Sequence, residues 1–450
     1  MRISIVGTGY VGLVTGISLA RLAHKVVCID NDKDKIAKIK DGQAPFYEQG
    51  VDKALKDVLK KKALTVTDNL EKAVVDSDIT IITVGTPTVN NKIDLSYIKK
   101  AAKQIGSALG KSRKYHVVVV KSTVLPGVTE EIVRPILDKS SKKRIGDFGL
   151  CMNPEFLREG NALEDALHPD RIVIGQFDEK SGKKFAKIYS KLSCPKIFTN
   201  LWTAELIKYA ANSLFATLIS FSNEISRISE STNKIDVLDV WKGVHLDKRL
   251  SPYIGKTQVK PDILSYILSG CGFGGSCFPK DVAALASFAS SQHVDTKILK
   301  SVIDINKTQP ARMILHLKKA LGKNLKGKRV AILGLSFKAN SDDIRESAAF
   351  PIIEDLISNG VKIICHDPFV YRESVPEKLK NLSIDLAPSV KDAIKKADAA
   401  LIVTAWEEYS RLNPSFFKIN MKKAIVIDGR RIYDKTAFNK AGVIYRGIGL

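Results

Sequence analysis

Two blocks of alternating strand and helix patterns, one at each end of the chain, flank a long helical stretch. This arrangement predicts an α/β protein with two doubly wound parallel-sheet domains joined by a long central helix and a helical domain. Three observations carry the prediction. A β-branched strand over 2–6 runs into a glycine loop and a helix over 12–22, followed by a second strand over 25–30. An Ala-, Leu-, Ile- and Phe-rich stretch over 201–231 keeps the helical pattern far beyond an ordinary helix length, with Thr203 and Glu205 suited to its start. From Gly327 the alternation resumes, with a strand over 328–334, a helix over 347–359 and a strand over 361–366.

Further strands are expected over 79–84, 116–121 and 171–175 in the first block, and over 399–404 and 424–428 in the last. Helices should follow Pro279 to about residue 321, which divides the chain into 1–199, 200–322 and 323–450. Residues 3–7 and 330–334 echo each other, as distant duplication or as two buried parallel strands obeying the same physics.

Lysine and arginine number 71 against 48 acidic residues, a net charge of +23 that invites a nucleic-acid reading. The excess is mostly scattered lysine, however, with short runs at 60–62 and 142–144 and no interleaved aromatics, which fits a lysine-rich surface better. The same field would help recruit a small polyanion such as a nucleotide sugar. No apolar run approaches the roughly 18 residues that cross a bilayer. The first residues read as a strand rather than a signal peptide. A cytoplasmic protein without a membrane or nucleic-acid partner is therefore expected. The six cysteines form no C-x-x-C pair and no cluster with histidine at zinc spacing, so neither a disulfide framework nor a metal site is expected.

Gly7, Gly9 and Gly12, with Tyr10 and Val11 between them, make a G-x-G-x-x-G placed after a strand and opening a helix. In that setting the glycines admit a pyrophosphate and the helix start supplies N–H groups, the Rossmann-like solution to dinucleotide binding. Asp30 ends the next strand, where it suits a ribose diol and repels a 2′-phosphate, favouring NAD over NADP. Thr86 and Thr123 follow later strands at the edge where open α/β sheets bind ligands; they are also ordinary capping hydroxyls. Glu155 and Glu159 lie in a loop after a short apolar stretch and could act as a base or simply be solvated. Lys208 and Asn212 are one helical turn apart, as an oxyanion cradle or as an ordinary snorkelling or salt-bridged lysine beside an asparagine. Lys338, Arg345 and Arg430 follow strands of the last block and could meet a phosphate-rich ligand.

One cysteine stands apart. Cys277 lies among glycines with Lys280 and Asp281 behind it, just before a helix start whose dipole would favour a thiolate. The plain alternative is a glycine-rich turn holding a buried free cysteine.

Taken together, G-x-G-Y-V-G, V-G-T-P, S-T-V-x-P-G, N-P-E-F-L-R-E-G, A-E-L-x-K-x-x-A-N, G-F-G-G-S-C-F-P-K-D and F-K-x-x-x-D-D-x-R-E-S occur in one order over nearly the whole chain. This resembles the UDP-glucose/GDP-mannose dehydrogenase family. The resemblance implies an NAD-binding domain, a central helical dimerisation domain and a C-terminal domain for the UDP-sugar, in a homodimer through the long helix. It implies a four-electron oxidation of a sugar C6 alcohol to a carboxylate, two NAD molecules being reduced in turn, with UDP-glucose favoured as substrate. Asp281 would be the base with Lys208, and Cys277 would capture the aldehyde. Glu155 and Thr123 would assist thioester hydrolysis, and Lys208 and Asn212 would stabilise oxyanions. Val11, Asp30, Lys35, Thr86, Thr123, Glu159 and Arg345 match NAD contacts. Glu155, Phe156, Leu157, Arg158, Glu159, Lys208, Asn212, Tyr266, Gly274, Phe337, Lys338 and Arg430 match UDP-sugar contacts.

The stretch 252–262 is extra relative to the family pattern, and Leu268 stands where some members carry lysine. Two alternatives stay open: a sister enzyme acting on GDP-mannose or a UDP-N-acetylhexosamine, and a nucleotide- or nucleic-acid-binding protein without turnover. Binding alone needs no thiol, which sets Cys277 against the second.

Overall fold

The computed structural model describes all residues except 90–91, 233, 371–374 and 376–383. The chain divides into two compact units, Met1–Ala211 and Asn212–Leu450. The first unit holds a sheet of eight strands: β1 (Arg2–Val6), β2 (Lys25–Ile29), β3 (Leu64–Thr67), β4 (Ile79–Ile82), β5 (Val117–Val120), β6 (Gly149–Met152), β7 (Ile172–Gln176) and β8 (Lys196–Thr199). Their spatial order is β8-β7-β6-β5-β4-β1-β2-β3. All neighbours are parallel except β6 and β7, a departure from the purely parallel sheet the sequence suggests.

The reason for the layering is visible in β5, four consecutive valines that are all fully buried. Val117 and Val119 pack with Ile3, Ile5, Leu13 and Ile17 on one face, while Val118 and Val120 pack with Ile98, Ile105 and Leu150 on the other. A strand that is apolar on both sides needs cover on both faces, which parallel crossover connections supply. Strands β3, β6 and β8 lie beyond those that the sequence pattern marks. Each is four residues long, too short for alternation to register.

The sheet order reverses between β1 and β4, and there the chain leaves β1 through the glycine loop into α1 (Tyr10–Arg21). Gly7 takes a φ of +101° and its N–H bonds to the Ile29 carbonyl at 2.8 Å. A Cβ on Gly12 would lie 1.9 Å from the Gly7 oxygen and 2.6 Å from Thr83 Oγ1. On Gly9 it would meet nothing within 4 Å.

The unit boundary falls inside α2 (Leu201–Thr232), the long helix the sequence predicts. In the second unit α3 (Phe278–Ser291), α4 (Lys297–Thr308) and α5 (Ala311–Leu321) precede the last block. Within the extra stretch, Tyr253–Ile254 pairs with Thr257–Gln258 as a small antiparallel hairpin where the sequence suggests only loop. The second sheet comprises β9 (Arg329–Leu333), β10 (Lys362–His366), β11 (Ile384–Leu386), β12 (Ala399–Ile402), β13 (Ile425–Asp428) and β14 (Ile444–Gly447). Its order is β11-β10-β9-β12-β13-β14, all parallel, and α6 (Ala349–Ser358) packs on its core. Both sheets therefore run third, second, first, fourth from one edge, the doubly wound order.

The echo extends to the first loops. Gly334 mirrors Gly7, with φ +103° and its N–H on the His366 carbonyl at 2.8 Å. Asp30 accepts from Thr8 N and Oγ1, and Asp367 accepts from Ser336 N and Oγ, so a hydroxyl residue is locked to the acid after the second strand each time.

The two helix-start glycines should separate fold from ligand. Gly12→Ala forces a methyl into a backbone oxygen and should lower the urea-unfolding free energy by about 1–3 kcal/mol. Gly9→Ala should stay within about 1 kcal/mol of the parent, the scale of an N-cap change, while weakening dinucleotide binding measured by calorimetry.

Candidate functional site

In the first unit, α1 starts at Gly9 with no side chain capping it and no acidic residue in its first turn. Its N–H groups and positive dipole end are thus available to an anion, and the open space above Gly9 is what a pyrophosphate needs. The residues fit a dinucleotide. Burial opposes ionisation of Asp30, but hydrogen bonds from Thr8 and Asp32 outweigh it and hold the carboxyl below its ordinary range. Lys35 stands 3.7 Å from Asp32 on an exposed helix turn, and Val11 is the second residue of α1. Tyr10, expected at the cofactor, turns its hydroxyl to Glu48 at 2.6 Å. Thr86 Oγ1 donates to the Thr123 carbonyl at 3.0 Å, tying the loops after β4 and β5 together.

Beyond β6, Glu155 and Lys208 form an ion pair at 2.8 Å with side chains 8% and 5% exposed, so Glu155 is not solvated and Lys208 is salt-bridged rather than snorkelling. Glu155 also accepts from Leu157 N at 2.7 Å. Burial pushes its carboxyl up, but Lys208, Leu157 and Lys121 more than reverse this. Phe156 lies with the Arg171 guanidinium 3.9 Å from its ring centre and Lys208 Nζ at 5.6 Å. Arg158 makes a fork onto Asp165, and Glu159 is half-buried at the end of the loop.

Sequence reasoning missed two groups here. Lys121 is buried at the end of β5, with Nζ 2.8 Å from Asn153 Oδ1, and burial lowers its pKa to about 8. A lysine directly after four buried valines was the available signal. Glu205, assigned above to the helix start, is instead fully buried and accepts from Gly127 N at 2.6 Å and Thr129 N at 2.8 Å. It anchors α2 to the loop that carries Thr123.

In the second unit Cys277 is the N-cap of α3, half-buried, with Ser276 Oγ 3.5 Å from its sulfur. The contrast with other thiols is informative. Burial pushes Cys28 and Cys151 up to about 12 and raises Cys271 and Cys365 as well, so these are inert packing groups. A helix start, by comparison, stabilises negative charge at its cap. One turn into α3, the buried Asp281 accepts from Asn212 Nδ2 at 2.6 Å and pairs with Lys280 Nζ at 2.5 Å. Lys280, marked in the sequence behind Cys277, is thus paired with the acid beside it.

The loop before Cys277 is shaped by steric necessity. A Cβ on Gly274 would lie 2.3 Å from the Glu346 carbonyl oxygen. The next residue, Gly275, donates to the Arg345 carbonyl at 2.8 Å and packs on the Phe337 ring. Tyr266 stacks on Phe215 at 4.5 Å between centroids, and Phe278 lies 6.3 Å from Tyr266. Arg345 makes a fork onto Asp343 at 2.8 Å for both bonds, and Lys338 Nζ is 5.6 Å from the Phe337 ring centre. Arg430 reaches the Val403 and Gly272 carbonyls at 2.6 and 3.1 Å, bracing the cysteine loop. The first unit thus pairs Thr86 with Thr123 and Glu155 with Lys208, and the second joins Asn212 to Asp281 one turn into the helix that Cys277 caps. Among the described residues no group of three or more His, Cys, Asp or Glu is arranged to hold a metal.

Three family models match the chain, those of the UDP-glucose/GDP-mannose dehydrogenase family NAD binding domain (residues 1–193), central domain (202–308) and UDP binding domain (331–435). The chain is 38% identical over 451 residues to a UDP-glucose 6-dehydrogenase of Rickettsia conorii, covering 100% of this chain and 99% of the relative. It is 39% identical to one of Bacillus subtilis, covering 100% and 93%. The solved structure of a UDP-glucose dehydrogenase from Pyrobaculum islandicum superposes with a TM-score of 0.89 at 34% identity, covering 99% and 97%.

Glu205 supplies a pH signature. Burial raises its carboxyl from the ordinary 4.5 to about 7, in spite of the N–H groups of Thr129 and Gly127. Between those values the folded chain holds a proton that the unfolded chain has lost, so this group's contribution to stability falls as pH rises from 4.5 to 7. The thermal midpoint of the parent relative to Glu205→Gln should therefore decline across that window. A pH-independent difference would refute the raised value.

Proposed function

The chain belongs to the UDP-glucose/GDP-mannose dehydrogenase family and is an NAD-dependent enzyme, and from that premise we propose that it oxidises UDP-glucose to UDP-glucuronate in two steps through a thioester on Cys277. The observation that carries the covalent step is the position of Cys277: half-exposed, capping α3, one turn from the buried Asp281. Full-length relatives named for UDP-glucose support the choice of sugar.

NAD, when bound at the start of α1, accepts hydride from C6 at each of the two oxidations. Asp281 takes the C6 hydroxyl proton, with Lys208 as the second proton-handling group. Cys277 then adds its sulfur to the aldehyde carbon, forming a thiohemiacetal whose C–H is lost in the second oxidation to leave a thioester. Water displaces the thiol, giving the carboxylate, and Glu155 and Thr123 orient that water. Lys208 and Asn212, one turn apart on α2, donate to the oxyanion at each tetrahedral stage. The loops carrying Glu155, Phe156, Leu157, Arg158 and Glu159, with Tyr266, Gly274, Phe337, Lys338 and Arg430, hold the UDP-sugar in this reading. Asp30, Lys35, Thr86 and Arg345 hold the dinucleotide.

We further assign a homodimer through α2. Leu214, Phe221 and Ile228, each seven residues from the next, are 54%, 52% and 56% exposed and form one apolar stripe along it. The six free cysteines suit a reducing compartment, and we place the reaction in the cytosol.

Incubation with NAD and UDP-glucose should yield two NADH for each sugar consumed; a ratio of one, or no turnover, would refute the two-step reaction. Cys277→Ala should abolish the acid, and full acid formation by that variant would make the thiol structural. Phe221→Lys should shift the mass seen by light scattering from dimer to monomer, an outcome that an unchanged mass would contradict.

A further inference from the structure

Glu48 belongs to none of the motifs above and is 6% exposed. Its carboxylate is filled from three directions. Tyr10, the first residue of α1, donates its hydroxyl at 2.6 Å, Gly160 N donates at 2.7 Å, and Ala162 N donates at 2.8 Å. Ala162 opens the helix Ala162–Leu167, whose own N-cap Asn161 gives no side-chain bond, so Glu48 caps this helix from a distance. The Tyr10 ring also packs on Phe46, 5.1 Å between centroids, which fixes the direction of the hydroxyl.

These partners belong to the two segments that the reaction needs. Tyr10 follows Gly9 directly in the dinucleotide loop, and Gly160 closes the loop 155–160 that carries the sugar contacts. The other end of that loop is held by Glu155 on Lys208 at 2.8 Å. At the far end the Arg158 fork onto Asp165 adds to the hold of Glu48, but it is half-exposed on the arginine side. We propose that Glu48 is a positioning residue, a carboxylate clamp that fixes the 155–160 loop against the start of α1 and so sets the geometry in which the UDP-sugar is bound. The proposal rests on the reading of that loop as the sugar-binding segment. Two N–H groups and a hydroxyl converging on one buried carboxylate give it a strong, directional hold.

Glu48→Gln tests this, because the amide keeps the volume but cannot accept with both of its terminal atoms, so at least one donor loses its acceptor. The KM for UDP-glucose should rise by about tenfold, the scale of one lost bond to a charged group, with kcat changed by less than about threefold. Amide exchange at residues 160–162 should quicken. Tyr10→Phe removes one donor and should shift KM in the same direction by less, which keeps the test open if Glu48→Gln folds poorly. An unchanged KM with unchanged exchange would overturn the proposal, as would a fall in kcat and thermal midpoint alone. If the parent enzyme does not oxidise UDP-glucose, the proposed reaction fails, and the clamp is then judged by UDP affinity in calorimetry together with the exchange rates.

Discussion

The loop after β6 depends for its place on the ion pair between Glu155 and Lys208 of α2, closed at 2.8 Å and nearly withdrawn from water. Two charges buried this deeply are stable only because each is paired and because Leu157 N fills the second carboxylate oxygen. Lys121 stands close enough to lower the Glu155 pKa further, and its own ammonium is disfavoured by burial, which Glu155 offsets in part and Lys208 adds to. The site is thus poised with more positive than negative charge, a setting that favours a developing oxyanion or carboxylate.

Buried acids recur as anchors in both units. Glu205 gathers the N–H groups of Gly127 and Thr129, Glu48 those of Gly160 and Ala162, and Asp281 the amide of Asn212. Asp428 receives Arg430 N, Tyr433 N and Tyr445 OH, although burial still pushes its carboxyl up. At the far end of α2, Glu230 takes Arg312, His316 and Gly449 N. Burial works against its charge, but these partners bring it down to about 2. In each case a buried carboxylate satisfies donors that would otherwise stand unpaired inside the protein, so it fixes the segment that carries them.

The two sheets show how far one strand–loop solution can be reused. Both place a left-handed glycine after the first strand and lock the following hydroxyl residue to an acid after the second. They diverge where ligand would sit: the first loop continues through Gly9 and Gly12 into α1, while the second continues through Phe337 and Lys338 toward the glycines before Cys277. The first leaves open space for a pyrophosphate; the second fills its space by bracing the cysteine loop.

The amino-acid sequence by itself determined the two strand–helix blocks, the long helix, the glycine loop after the first strand and the helix start behind Cys277. These depend on local periodicity, glycine spacing and short motifs, which neighbouring residues specify together. It marked Lys208, Asn212 and Asp281 through their motifs but left open whether the lysine snorkels to water or pairs with a carboxylate. Only the tertiary structure decided that, by burying Lys208 on Glu155 across 53 positions of chain. It also turned β7 antiparallel to β6, made a hairpin of the extra stretch, and gave Glu205, Lys121 and Glu48 their partners. Glu205 bonds to a residue 78 positions away and Glu48 to one 114 away. Such contacts follow from how the sheet brings loop ends together, and no local pattern in the chain encodes them.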